Sequence, residues 1–500
     1  MDGVLRDDRR RNGLGIAISG LLIVAYYWYF AHVSTSAYRG YAYRTFDLGF
    51  YDQGVWLLSR FHAPYITLVG RNLFGDHAQF SLLALAPLYW IRPDPSTLLN
   101  VQALVMALGA VPVYLLAIRR ALGPAIATVF VAAFLLHPAL GQTNLENYHP
   151  DSFLIPILGF AIYFAIEDRT RPFVIVCAFA LLCKEDAVLV VAPLALWFWW
   201  RRGRPAGGIV AGAAVVVALF DTNVVMRSLV GVSTRNAFRI PFSTCARACS
   251  VTRHLSDFVI EIFTNPARVV RYLVAGDRPN GRPFYVWQLI APTGLVFLVA
   301  PEIVATMVLA LAANVFSTVG YQHQIAFHYS MELLPALAMG SVLAVSRIPA
   351  GRRRAIAVVL VGVSAATSAI LWGPFPFSRH RPPAHWSPSS AQVADINRVI
   401  AELPDAAVVS AYDGYVTHVD RRRRVYLWPT PFSASHWKLG KQEGHRIPEA
   451  DDVEYLLLPA RLVDHPEVFA AIKSGFAPVA RAGDDRDGVV LYRRVSRGSS

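Results

Sequence analysis

Two aspartates lie five residues apart in a stretch rich in aromatic side chains. Residues 44–53 read RTFDLGFYDQ and carry Asp47 and Asp52. A carboxylate can act as general base for a hydroxyl group that lies within hydrogen-bond distance. Five positions on a helix place two side chains well apart, so we expect only one of Asp47 and Asp52 to face a substrate. The alternative is an ordinary loop whose charges are solvated.

Acids, histidines and a lysine interrupt the apolar pattern at four later places. These candidate substrate-binding residues are Asp76, His77, Glu146, His149, Asp151, Lys184, Glu185, Asp186, His323, His328 and Tyr329. Ionisable residues at a membrane edge are costly, so their convergence on one side predicts a functional cavity. Carboxylates and imidazoles together can hold a divalent cation, Mg²⁺ or Mn²⁺, or bind a lipid-linked phosphate through such an ion.

The composition indicates a polytopic membrane protein. Of 500 residues, 55% are hydrophobic and only 16% are charged, which excludes an ordinary soluble domain. The net charge is +13, but the arginines flank apolar segments. The positive-inside bias therefore explains the excess, and nucleic acid is not a predicted partner. We expect Cys177 and Cys183 to be packing residues, whereas Cys245 and Cys249 lie in an outer loop where a local disulfide can form.

The apolar runs predict about eleven transmembrane helices in residues 14–372 of a multi-pass membrane protein. Arginines before the first run place the N-terminus, residues 1–13, in the cytoplasm. A long first outer loop, residues 34–97, contains an interfacial or re-entrant run, Phe80 to Ile91. A second outer loop, residues 227–284, is rich in arginine. Arginine counting places the acidic and histidine-rich tips together on the extracytoplasmic face.

The remaining chain is predicted to form a separate extracytoplasmic α/β domain. A proline-rich linker, residues 373–388, precedes this domain, residues 389–500. Helices are expected from Ala391 to Leu403 and from Val463 to Ile472. Strands are expected at residues 408–409, 425–427, 455–458 and 489–492. Asp413 and the arginines at 421–424 are predicted to form a solvated turn.

Two groups of residues near the candidate cavity have alternative interpretations. The aromatic side chains around Asp47 suit stacking on a sugar face, and equally an interfacial aromatic belt. They are Tyr41, Tyr43, Phe46, Phe50 and Tyr51. The arginines of residues 227–284 can clamp a phosphate, or can form a solvated face against anionic lipid.

Five motifs in order resemble a family of bacterial membrane proteins defined as a domain of unknown function. They are FDLGxxDQ at 46–53, GDH at 75–77, ENxHPD at 146–151, KED at 184–186 and HY at 328–329. The resemblance covers about residues 20–475. This family in turn is similar to the GT-C glycosyltransferases, through its long acidic first outer loop, interfacial helices and C-terminal outer domain. The sequence departs from GT-C enzymes because its membrane region, residues 14–372, has neither a D-x-D nor a W-W-D-type motif.

The GT-C resemblance implies an inverting transferase that uses a polyprenyl-phosphate sugar donor. Asp47 matches the position of the catalytic base, and the acceptor would be a cell-envelope glycan, lipid or protein. Glu146, His149 and Glu185 would hold the metal, with Asp186 beside them at the donor. The alternatives are a transporter or flippase for a lipid-linked intermediate, and a non-catalytic envelope scaffold. A transporter predicts polar residues through the membrane depth and an internal repeat, whereas a scaffold predicts tolerance of Asp47→Asn.

Overall fold

The computed structural model describes residues 2–230, 251–274, 281–379, 387–435 and 443–495, which are mainly helical. Cys177 and Cys183 are buried free thiols, as predicted. The possible disulfide partners Cys245 and Cys249 lie outside the described residues.

The helices of the membrane region follow one another with short breaks. In chain order they are Asp2–Arg39 (α1), Phe50–Ser59 (α2), Leu73–Asp76 (α3), Leu88–Ile91 (α4), Pro95–Leu108 (α5), Ala110–Arg119 (α6), Pro124–Leu135 (α7), Pro138–Glu146 (α8), Leu154–Ile166 (α9), Thr170–Leu181 (α10), Val188–Arg202 (α11), Pro205–Phe220 (α12), Met226–Val230 (α13), Val251–Thr264 (α14), Pro266–Val274 (α15), Arg282–Ile290 (α16), Val308–Phe316 (α17), Leu334–Arg347 (α18) and Arg352–Trp372 (α19). Proline is the first residue of α5, α7, α8 and α12. A backbone N–H at that position would make no hydrogen bond within the helix, so proline costs nothing there.

Five helices of the described residues are long and apolar enough to cross a membrane. They are Gly13–Arg39, Pro95–Arg119, Pro205–Val230, His328–Arg347 and Arg352–Trp372. Helices α7 and α8 make a sixth if this pair, bent by 43°, is one span. The predicted count of eleven is not confirmed. Several predicted spans are short helices, such as Thr170–Leu181, because polar tips or prolines interrupt runs that would need about 20 residues to cross.

The membrane helices pack closely where small residues lie between them. Helix α1 packs against α5 and α7, and α18 packs against α6 and α9. A methyl group added at Gly109 would lie 2.4 Å from Ile155 and 2.8 Å from Phe134, and one at Gly159 would lie 2.7 Å from Pro112. Membrane helices associate by such close contacts because lipid supplies no hydrophobic drive between them.

A five-stranded sheet forms the end of the chain. Its strands, after a two-stranded ribbon of Tyr65–Ile66 (β1) and Arg71–Asn72 (β2) in the first loop, are Val409–Ala411 (β3), Val425–Leu427 (β4), Tyr455–Pro459 (β5), Phe476–Ala482 (β6) and Val489–Arg494 (β7). The order is β4-β3-β5-β7-β6, with β3 parallel to β4 and β5 and the other pairs antiparallel. Helices Ala391–Ile400 (α20) and Pro466–Ile472 (α21) accompany it. The four predicted strands and two helices are confirmed, and β6 was not predicted.

The sheet region shares one hydrophobic core with the first long loop. Leu48, Val55 and Tyr89 of the loop belong to the same buried cluster as Val409 and Leu457 of the sheet. Thr67 joins the two through hydrogen bonds with the carbonyl and N–H of Val425, of 2.6 and 3.0 Å. The sequence predicted a separate unit, and its boundaries stay a prediction, but this unit is packed against the loop that carries Asp47.

The aromatic residues near Asp47 mainly build that shared core. Tyr41, Tyr43, Phe50 and Tyr51 are buried, whereas Phe46 is 44% exposed. The Tyr41 ring stacks on the His418 imidazole with centroids 3.8 Å apart. Of the five, only Phe46 therefore has an open surface for a sugar or for the membrane interface.

The turn at residues 413–424 is solvated only in part: Arg423 and Arg424 are exposed, as predicted, whereas Arg422 is not. Arg422 is buried and donates to the carbonyls of Val419, Pro404 and Ala407 at 2.6 to 3.1 Å. The carboxylate of Asp413 accepts the N–H of Thr45 at 3.0 Å. Arg422 can be buried because these backbone carbonyls satisfy its donors.

Candidate functional site

Asp47 occupies a strained turn just before α2. Its φ of 66° lies where residues with a side chain rarely settle, and such strain persists only when surrounding contacts enforce it. Asn147 provides those contacts. Its side chain accepts the Leu48 N–H at 3.1 Å and donates to the Phe46 carbonyl at 3.0 Å. The backbone on both sides of Asp47 is thus held by a residue from the motif that carries Glu146 and His149.

Two distant segments converge on the turn that carries Asp47. His149 Nε2 lies 3.9 Å from Asp47 Oδ2 and 2.5 Å from Glu146 Oε2. The His328 ring stacks on the His149 ring with centroids 3.7 Å apart, and its Nδ1 lies 3.8 Å from Glu146 Oε2. We call Asp47, Glu146, His149 and His328 the Asp47 cluster.

The turn after α8 positions Glu146 and His149 together. Glu146 ends the helix, and His149 follows three residues later before Pro150 begins a short 3₁₀ turn. Gln102 of α5, fully buried, accepts the His149 N–H at 2.7 Å and donates to the Asn147 carbonyl at 2.7 Å. The buried glutamine therefore holds this turn in place from the neighbouring span.

The electrostatics of the cluster leave Asp47 able to accept a proton. Burial raises the pKa of Asp47 to about 6, although the positive charge of His149 opposes this shift. Burial disfavours protonated His149, but the carboxylates of Glu146 and Asp47 outweigh it and raise the pKa of this imidazole to about 9. Near neutral pH, Asp47 is thus mainly a carboxylate beside an imidazolium.

A second group surrounds Lys184. The Lys184 ammonium lies 2.7 Å from Asp151 and 3.1 Å from Asp186, and Gln79 donates to Asp151 at 2.8 Å. The ring centroid of Tyr329, next to His328, is 5.8 Å from the ammonium. These charges form a compensated buried network beside the Asp47 cluster, so Lys184 has no need of a bound anion to balance it.

Glu185 does not join Glu146 and His149. Its carboxylate pairs with His77 Nδ1 at 2.7 Å and accepts the Ala78 N–H at 3.1 Å. Asp76, next to this pair, forms an ion pair with Arg71 at 2.9 Å. The metal-ligand set derived from the resemblance, with Glu185 as its third member, is therefore not the set that the geometry assembles.

Two other candidate residues, Asp52 and His323, lie apart from the Asp47 cluster. Asp52 is fully buried and accepts a hydrogen bond from Tyr89. Asp420 of the sheet region lies nearby, and burial raises the pKa of both carboxyl groups. His323 is buried in the turn Gly320–His323. Of the two carboxylates in residues 44–53, only Asp47 reaches the cluster.

Several site residues were not foreseen from the sequence. Glu332 interacts electrostatically with Asp186, and its position one helical turn after His328 was the only available signal. Three amide side chains also hold the site, and an amide in the sequence does not by itself predict a functional role. They are Gln79, Gln102 and Asn147. Among the loop arginines, Arg282 is engaged structurally, since it donates to the carbonyls of Val315 and Ser317 at 2.7 and 3.2 Å.

The cluster's donor atoms fit a transition-metal ion. Within the described ranges, Glu146, His149 and His328 form a group whose potential ligand atoms all lie within 4.8 Å of one another. His328 Nδ1 is buried and has no hydrogen-bond partner. Two imidazoles and one carboxylate suit Mn²⁺ better than Mg²⁺, which prefers oxygen ligands and retained water.

Comparisons with known proteins agree with a membrane protein and identify a shared fold. No curated protein matches the sequence. Among solved structures, ArnT from Cupriavidus metallidurans, a GT-C glycosyltransferase, superimposes with a TM-score of 0.52 at 11% identity. The match covers 94% of this chain and 98% of that chain, so the two share a fold. The family model described as "Predicted membrane protein (DUF2079)" matches residues 41–463, and the chain belongs to this family.

Proposed function

We propose that the protein is a GT-C-type glycosyltransferase that moves a sugar from a polyprenyl-phosphate donor to a cell-envelope acceptor. The observation that carries the proposal is the Asp47 cluster, in which a carboxylate on a strained turn lies 3.9 Å from the His149 imidazole within a fold shared with ArnT. The proposed location is the bacterial plasma membrane, with the N-terminus cytoplasmic and the cluster and sheet region extracytoplasmic.

The proposed reaction uses Asp47 as general base. The carboxylate takes the proton of the acceptor hydroxyl while the acceptor oxygen bonds to the anomeric carbon of the sugar. The bond between that carbon and the phosphate oxygen breaks, and polyprenyl phosphate leaves with the electron pair. Attack from the opposite side inverts the anomeric configuration. His149, held protonated by Glu146, provides a positive charge beside the reacting groups.

The same cluster offers a place for a divalent cation. Glu146, His149 and His328 would hold it, with His149 having lost its proton, and the ion would replace the imidazolium as the positive charge beside the phosphate. Lys184 and Asp151 would support the cluster as a rigid, charge-balanced neighbour. Asp76 and His77 remain candidates for contact with the donor through their part of the first loop.

A transfer assay with two aspartate variants tests this function. Purified protein in detergent is given radiolabelled polyprenyl-phosphate sugars and a membrane extract as acceptor pool. Asp47→Asn is expected to lower transfer by about 10²-fold or more, the range of a lost general base. Asp52→Asn, whose carboxyl is buried against Tyr89, is the matched control and is expected to retain transfer.

The outcomes separate base, scaffold and transport functions. Transfer by Asp47→Asn at the wild-type rate would remove Asp47 as the base. Absence of transfer from every donor, with folded wild-type protein confirmed by its cooperative thermal unfolding, would refute the transferase proposal and favour a transporter or scaffold.

A further inference from the structure

A polar cavity lies among the ends of the membrane helices and has a volume of about 550 Å³. Five arginines line it, together with the carboxylate of Glu302. They are Arg119, Arg120, Arg201, Arg202 and Arg347. We call this feature the basic cavity.

The basic cavity is at the opposite membrane surface from the Asp47 cluster. The span His328–Arg347 carries a cluster residue at its first position and a cavity residue at its last. Twenty helical residues extend about 30 Å, the thickness of the hydrocarbon core. The span Pro95–Arg119 likewise ends at this cavity. The cavity is therefore no part of the proposed transfer site.

The arginines of the cavity exceed the carboxylates that pair with them. Arg347 pairs with Glu302, and Arg120 pairs with Glu167 at 3.0 Å. Arg202 donates to the Ile166 carbonyl. Among the described residues, no ion pair joins a carboxylate to the other two arginines or to Arg202. The positive-inside bias accounts for arginines at helix ends, but it does not require them to converge on one concavity.

Unsatisfied donors point to a ligand in the same place. The indole N–H of Trp197 and the Nε of Arg120 are buried without a hydrogen-bond partner, and both residues line the cavity. Buried donors normally find an acceptor, because an unmet one costs about 1–3 kcal/mol. Both of these groups can only donate hydrogen bonds, so a ligand that meets them must carry acceptors. Because arginines surround them, a negatively charged ligand is favoured.

We propose that the basic cavity binds a phosphate group. Guanidinium groups match the oxygens of a phosphate in paired hydrogen bonds, and basic pockets between membrane helices suit lipid head groups. The cavity volume lies in the range of small-molecule sites. The phosphate can belong to an anionic phospholipid that enters from the bilayer, or to a soluble phosphate compound.

Lipid nanodiscs and a charge-matched control test this site. Arg119→Gln/Arg201→Gln removes two exposed arginines of the cavity. Arg352→Gln/Arg353→Gln removes two exposed arginines from the start of α19, outside the cavity. Phospholipid retained by each protein is counted by native mass spectrometry after exchange into nanodiscs of phosphatidylglycerol and phosphatidylcholine. A second arm titrates inorganic pyrophosphate into protein in phosphatidylcholine alone.

The cavity variant is expected to bind its ligand about 30-fold more weakly, at about 1 kcal/mol per arginine, while the control variant binds as wild type. Loss of retained phosphatidylglycerol identifies a lipid head group, whereas pyrophosphate binding that depends on the same arginines identifies a soluble ligand. Equal losses in both variants, or no binding in either arm, would overturn the proposal. Thermal unfolding of each variant shows that it is folded.

Discussion

Removing the charge of Lys184 should destabilise the protein strongly. The Lys184 ammonium lies 2.7 Å from Asp151, and both side chains are at most 6% exposed. At an effective dielectric constant near 20, that distance gives about 6 kcal/mol of attraction, much of which offsets desolvation. Breaking a buried ion pair typically costs about 3–5 kcal/mol. We expect Lys184→Met to lose an amount in this range, because it leaves the negative charge of Asp151 uncompensated.

The opposite substitution should cost less, which makes the reasoning testable. In Asp151→Asn, Lys184 keeps Asp186 at 3.1 Å, and the amide still accepts hydrogen bonds. We expect a loss of about 1–2 kcal/mol. Lys184→Met combined with Asp151→Asn should be more stable than Lys184→Met alone, because one uncompensated charge is gone.

Denaturant unfolding in detergent, followed by tryptophan fluorescence, measures these differences. Lys473→Met, which changes an exposed lysine in the turn after α21, is the matched control and should be neutral. Equal costs for Lys184→Met and Asp151→Asn, or strict additivity in the double variant, would refute a buried and compensated network.

Three further predictions follow from other contacts. Burial lowers the pKa of His77, but the carboxylate of Glu185 outweighs it and raises this pKa to about 9. The pair's stabilisation is therefore present below about pH 6.5 and is lost as pH rises through about 9. Unfolding from pH 6 to 10 should show a smaller loss in His77→Gln than in wild type, and the loss that stays belongs to His149, whose pKa is also about 9. Mn²⁺ should raise the unfolding temperature of wild type and not of His328→Ala, and an equal rise in both would exclude His328 as a ligand. Gly109→Ala should lose about 1–3 kcal/mol through overpacking, whereas Gly212→Ala, with nothing within 4 Å of the added methyl, should not, as denaturant unfolding can measure.

The candidate site shows where sequence reasoning succeeded. Glu146 and His149 were assigned to one polar tip, and three residues of separation across a helix end do bring their side chains together. Asp47 was singled out in an acidic stretch after the first apolar run, and it lies beside His149. These inferences depended on the spacing of residues that are only a few positions apart in the sequence.

Longer-range pairing was beyond such reasoning. Glu185 was grouped with Glu146 through the GT-C resemblance, yet the fold pairs it with His77. His328 takes the place beside His149 through ring stacking. A shared face restricts a side chain to one side of a membrane, but which partner it meets depends on how the helices pack.

By itself, the sequence determined the membrane class of this protein, its terminal strands and the motifs of its family. These follow from composition and from hydrophobic patterns that repeat over a few residues. Only the tertiary structure decided that Asp47, rather than Asp52, reaches the histidines, that the arginines at 421–424 are partly buried, and that five arginines converge on one cavity. Such outcomes depend on contacts between segments far apart in the chain, and local propensity carries no information about them.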